Sequence, residues 1–177
     1  MRTTIPFRER KQDWFLWAFF FFNLTVVTYQ ADLEQLVIRD PDNFDYPIWP
    51  LPFVIDFLHW WGRNFDPLLM ARPVWWQTVV WIDQLFYGPF YVAALYAFWK
   101  GREWIRNWCL LWAAAMMTAV TIILGEELFG EHATSHVGLV IAANIGWLLV
   151  PLWVIVRMWR AHPFSREVDQ TDATSNG

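Results

Sequence analysis

The sequence has a single cysteine, Cys109, among 177 residues. An intrachain disulfide is therefore excluded, and cysteine usage leaves the redox compartment open. Charge is sparse: Asp, Glu, Lys and Arg make up 17% of the chain, and the net charge is −4. Nucleic-acid binding needs a basic surface, so no nucleic-acid partner is expected. The N-terminus carries no cleavable leader pattern, because Arg8, Arg10 and Lys11 run straight into aromatics with no small-residue cleavage site. No internal repeat is found and the apolar runs are not Gly-rich, which argues against a repeat-built transporter. Histidine is scarce, and all four lie outside the apolar runs. His132 and His136 have the spacing of a metal pair beside Glu131, but nothing sets a third ligand, so no metal and no cofactor are expected.

What is abundant is apolar surface. Apolar residues make up 56% of the chain and aromatics 20%, with 15 Trp. Four runs stand out: Trp14–Ala31, Val74–Trp99, Asn107–Gly125 and Val137–Val156. Each is near the roughly 20 residues a helix needs to cross a bilayer. In hydrocarbon the backbone must satisfy its own hydrogen bonds, so helices are the default. The runs are apolar on every face, whereas a helix of a soluble core would be striped. The expected fold is an all-α membrane protein, a four-transmembrane-helix bundle over residues 14–160. Residues 1–13 form a cytoplasmic N-terminus, and the small, polar 161–177 is expected to be a disordered cytoplasmic tail.

Loop charge sets the orientation. Arg2, Arg8, Arg10 and Lys11 precede the first run, Lys100, Arg102 and Arg106 follow the second, and Arg157, Arg160 and Arg166 follow the fourth. The segment from Glu126 to His136 has no Lys or Arg. By the positive-inside rule both termini are cytoplasmic. A bacterial plasma membrane and the endoplasmic reticulum both fit. The outer connection between runs one and two holds Phe53, Phe57, Trp60 and Trp61 at helical spacing, which predicts a short amphipathic helix on the membrane surface or capping the bundle.

Candidate site residues are the polar groups inside this apolar setting. Asp83 is the lone charge within the second run. A carboxylate there costs about 2.5–3.5 kcal/mol on insertion scales, so it faces the bundle interior and serves a purpose. Asp32 ends the first run, Glu126 and Glu127 end the third, and Asn144 lies early in the fourth, all in the outer half. Asn144, Trp147 and Pro151 share one helix face. Pro89 and Pro151 can kink their helices and open space. The expectation is an acid-lined, aromatic-walled cavity in which Asp32 and Asp83 share a proton rather than both ionise. Such a cavity suits a lipophilic ammonium or a carbocation on a sterol-like skeleton. Plain structural readings stand beside these: a helix cap for Asp32, interhelical bonding for Asp83 and Asn144, packing for Trp147, and a solvated helix end for Glu126 and Glu127.

Asp32-Leu-Glu-Gln-Leu-Val, Phe65-Asp-Pro-Leu-Leu, Asp83-Gln-Leu-Phe-Tyr-Gly-Pro-Phe-Tyr and Tyr96-Ala-Phe-Trp-Lys-Gly-Arg-Glu-Trp-Ile-Arg resemble the EXPERA-domain family in its sigma-2-receptor branch. Asn144-Ile-Gly-Trp-Leu-Leu-Val-Pro resembles its emopamil-binding branch of sterol double-bond isomerases. The resemblance implies a ligand pocket holding Asp32 and Asp83, a further acid at Asp66, and a pocket wall at Asn144 and Trp147. It implies sterol-like or other hydrophobic ligands, lipophilic amines, membrane lipids and a homodimer as partners. The isomerase branch works through a His and Glu pair on the equivalent of the first run. Here that run has Asn23, Thr25, Thr28 and Gln30 but no His. Binding without turnover is the first expectation. Isomerisation with Asp83 and Asp32 as the acid/base candidates is the alternative.

Overall fold

The computed structural model describes residues 2–167. It is all-helical apart from one small strand pair. Helix α1 runs Lys11–Val37, opening as an α-helix, widening to a π-helix over Asn23–Asp32, and closing as α over Leu33–Val37. Helices α2 (Pro52–Asn64) and α3 (Pro67–Ala71) fill the first connection. Helix α4 covers 74–100, with a π-helical turn at Asp83–Tyr87 between Val74–Ile82 and Gly88–Lys100. Helix α5 is Ile105–Phe129, and α6 is Val137–Met158 with a break at Ile145. Strands β1 (Arg2–Thr4) and β2 (Ser165–Glu167) pair antiparallel, so both chain ends meet at one end of the bundle.

Among the described residues, α1, α5 and α6 are long and apolar enough to cross a membrane. Helix α4 is as long, but Gln77, Asp83, Gln84 and its many Trp and Tyr rings make it less apolar. The first helix begins earlier and ends later than its uncharged run. Asp13 and Asp32, the acids that flank the uncharged run Trp14–Ala31, both lie inside the helix. Asp13 is fully buried: Arg157 Nε donates to its Oδ1 at 2.7 Å and Arg157 Nη2 to its Oδ2 at 3.0 Å, and Arg10 Nη1 donates to the same Oδ2. A charge can remain inside a span because its partners arrive from distant sequence. Within the segment expected to be a tail, Ser165–Glu167 forms β2. The remainder of that segment, 168–177, lies outside the described residues.

The core sits toward the end that holds the termini. Phe20, Tyr91, Phe98, Trp112, Val154 and Met158 are closed off there. Phe20 meets Trp112 edge-on at 5.3 Å, and Phe90 stacks on Trp112 at 5.3 Å. Large rings pack here because lipid tails offer no hydrophobic drive between helices, leaving van der Waals fit to hold them. Outward rings such as Phe15, Phe21, Trp81 and Trp153 remain exposed, as lipid contact requires. Gly101 ends α4 at φ +65, and a side chain there would meet Thr4 Cγ2 at 2.5 Å. Only glycine allows both that left-handed cap and the close approach of β1.

Helix α2 forms as its spacing predicts, with Pro52 at its first turn. Phe53, Phe57 and Trp60 are more than half exposed, while Val54, Ile55 and His59 face inward. The helix therefore lies across the end opposite the termini, with rings turned outward. Pro151 sits inside α6, but the break is at Ile145. Pro89 falls in the first turn of the α-segment that follows the π turn, where its missing N–H costs little.

Candidate functional site

Below α2 the helices part around a cavity of about 370 Å³. Every helix contributes: Asn23 and Asp32 from α1, Trp61 from α2, Leu69 from α3, Asp83 and Tyr87 from α4, Met116 and Glu127 from α5, Asn144 and Trp147 from α6. Asp66, immediately before α3, lines it as well. Four of the residues on its wall are carboxylic acids, and none is Lys, Arg or His. The rest is mainly aromatic and aliphatic surface.

The two π segments are what open the bundle here. An α-helix presents one face every 3.6 residues, and a π turn adds a residue and shifts that face. In α1 the wide stretch places Asn23, Val27, Ala31 and Asp32 on one wall. In α4 the wide turn begins at Asp83 itself. The two stretches lie side by side: Gln84 Nε2 donates to Thr28 O, and Gly88 lies so close to Tyr29 that a Cβ would meet its hydroxyl at 2.8 Å. The Asp32 and Asp83 carboxyls face one another across this contact. Asp83 is 6% exposed, and its Oδ2 has no hydrogen-bond partner among the described residues.

Asp32, Asp83, Asn144, Trp147 and Asp66 all line this one cavity. Glu126 does not join them. It turns away and binds His132, accepting from its backbone N–H at 3.0 Å and meeting Nδ1 at 2.7 Å. Its neighbour Glu127 takes the wall position, 1% exposed. Helical phase explains the exchange: Met116, Val120, Ile123 and Glu127 recur at helical spacing and share one face. Asn144 lies on the wall, but its amide donates to Val140 O of its own helix at 3.1 Å. Trp147 Nε1 donates to Asn23 Oδ1 at 2.8 Å, tying α6 to α1. Asn23 was read only as a polar residue of the first run, although a lone amide after four phenylalanines signals an interior-facing position.

Behind Asp32 lies a second buried network that the sequence reading missed. Glu34 Oε1 is 2.7 Å from Arg72 Nη2 and 2.8 Å from His59 Nε2. Gln35 Nε2 donates to Glu34 Oε2 at 2.6 Å, and Gln35 Oε1 accepts from Trp76 Nε1 at 3.0 Å. Arg72 holds a left-handed backbone at φ 47 while it spans Leu69 O, Ile38 O and Glu34. This network joins α1, α2 and α4 beside the cavity. Asp66, outside the spans, is 5% exposed, and burial pushes its carboxyl above the usual range.

The chain is similar to several curated proteins along nearly all its length. It is 27% identical over 177 residues to sigma intracellular receptor 2 of Macaca fascicularis, covering 92% of this chain and 96% of that protein. The Homo sapiens protein of the same name is 26% identical over 176 residues, covering 92% and 95%. That of Xenopus tropicalis is 32% identical over 130 residues, covering 72% of this chain and 71% of the receptor. A family model described as EXPERA, the expanded EBP superfamily, matches residues 53–158, which run from α2 through the end of α6 and so carry three of the four acids on the cavity wall. With that match over more than half its length, the chain belongs to the EXPERA family of membrane proteins.

Proposed function

We propose that this protein binds an elongated hydrophobic molecule bearing an amine or hydroxyl group, a sterol-like lipid or a lipophilic amine, in the cavity between its helices. The observation that carries this reading is the wall composition: Asp32, Asp66, Asp83 and Glu127 with no basic residue among mostly apolar neighbours. A cation or hydrogen-bond donor gains most where acids lack partners, and apolar walls take the ligand's body. Trp147 and Tyr87 offer ring faces to a positive charge. The similarity to proteins named sigma intracellular receptor 2 supports a receptor-like role over one with turnover.

The reading includes four crossings with both termini cytoplasmic. The β1–β2 pair supports it, since ends that meet on one side need an even number of spans. The three apolar helices then require 74–100 as the fourth. The family resemblance adds a homodimer, which crosslinking in native membranes tests.

The deciding experiment is binding of a lipophilic amine to the purified protein and to Asp83→Asn. Loss of the charged contact should weaken binding by about 2–5 kcal/mol. Unchanged affinity would overturn the reading. Copurifying lipids identified by mass spectrometry would name the native ligand.

A second reading, double-bond isomerisation, is favoured by one observation: two facing carboxyls beside an indole. One would deliver a proton to the double bond and the other would remove one from the adjacent carbon, with Trp147 facing the intervening cation. Purified protein given a sterol in deuterated water should incorporate deuterium only if this chemistry runs. Incorporation abolished by Asp83→Asn would establish it.

A further inference from the structure

The cavity has a second pair of acids that the reading above leaves without a task. Asp66 and Glu127 meet at the loop-side end, 5% and 1% exposed. Asp66 Oδ1 and Glu127 Oε2 are both buried on the cavity wall, and among the described residues they have no partner except one another. Among the described residues no cation answers them. Arg72 is bound to Glu34, and His132 is bound to Glu126.

The pair is held in place. Thr134 links both flanks, its N–H donating to Glu127 O at 2.8 Å and its hydroxyl to Phe65 O at 2.5 Å. Asp66 follows the end of α2, and Leu68 just beyond it packs on Trp76, Val80 and Ile123. Fixed acids with open lone pairs in an apolar cavity are a costly arrangement unless something donates to them.

The spacing of the two pairs can be read from the helices. Val80 of α4 and Ile123 of α5 belong to one small packed cluster, which serves as the common reference level. Asp83 lies three residues beyond Val80, and Glu127 four beyond Ile123 in the opposite direction. At 1.5 Å per residue, the pairs are roughly 10 Å apart along the bundle.

We propose that Asp66 and Glu127 form a second subsite, one that takes an ammonium or hydroxyl donor at the far end of a ligand whose first such group sits at Asp32 and Asp83. The ligand class is therefore two-headed: an apolar body with a donor at each end. This rests on the binding reading above, and the test separates the two. The full-length protein in detergent is titrated calorimetrically with octylamine, with α,ω-diaminooctane, whose nitrogens are spaced to reach both pairs, and with α,ω-diaminobutane, which is too short.

The diaminooctane should bind at least about tenfold tighter than octylamine, the worth of one added charge-assisted hydrogen bond. Glu127→Gln and Asp66→Asn should remove that advantage, weakening diaminooctane far more than octylamine. Octylamine binding that depends on Asp83, with no advantage for the diamine, overturns the second subsite and leaves the first reading standing. Equal loss of both amines in Glu127→Gln makes the pair structural and also overturns it. Octylamine that fails to bind overturns both. If the variants do not fold, the ranking of the two diamines on the unaltered protein decides alone.

Discussion

Asp13 and Asp83 are both buried aspartates within apolar helices, but their surroundings differ completely. Asp13, near the chain termini, is enclosed by Arg10 and Arg157, and those arginines continue to Ile5 O, to Phe98 O and to the Phe164 ring. Asp83, in the cavity, faces another acid and keeps an open oxygen. The first arrangement is closed: one carboxylate is shared by two guanidinium groups whose other contacts are backbone carbonyls and a ring, and nothing remains to receive a ligand. The second is incomplete as a protein structure and becomes complete with a proton or a donor from outside. Burial alone does not distinguish a structural acid from a functional one. The presence of a resident cation does.

This contrast is broken most directly at Asp13. Asp13→Asn strands two buried guanidinium groups and should cost about 3–5 kcal/mol, read as a loss of thermal stability in detergent. Asp83→Asn should leave the unfolding temperature unchanged or raise it, because it removes an acid that nothing in the protein compensates. Equal destabilisation by the two would erase the distinction between the regions.

A smaller effect is expected at Asp66. Burial holds its carboxyl above the usual 3.8, so the folded chain binds that proton more tightly than the unfolded chain. The stability this contributes is complete below the unfolded value and is lost as pH rises through the folded value. Asp66→Asn cannot ionise, so its stability relative to the parent should increase as pH is raised from that unfolded value toward neutrality. Parallel melting curves across that window check the sign. The smallest effect belongs to Glu126→Gln, which touches His132 outside the cavity. Amine affinity there should match the parent within error, whereas Glu127→Gln should not behave as its twin.

The legible part of the site was the part that violates local chemistry. Asp83 is an acid in an apolar run, and Asn144 and Trp147 share a face by spacing, so both could be read before any packing was known. Asp13 was not legible, because an acid at the edge of an apolar run reads as its boundary, and its partner Arg157 is 144 positions away. The choice between Glu126 and Glu127 was open to helical phase, since Met116, Val120 and Ile123 point to the second. The Glu34–Arg72–His59 network and the β1–β2 pair were hidden for the same reason as Asp13: each joins segments whose own sequences carry no sign of the other.

The π segment of α1 has a consequence for how such a site arises. A π turn is an α turn with one extra residue, so the stretch Asn23–Asp32 is equivalent to an ordinary helix that has accepted an insertion. Were the same residues to wind as plain α with none removed, the rotation that the wide stretch withholds, about 100° for one extra residue, would turn Asp32 relative to the start of the helix. Asp32 would leave the wall without a single side chain having been replaced. Its place opposite Asp83 is thus set by how the backbone winds as much as by which side chains it carries.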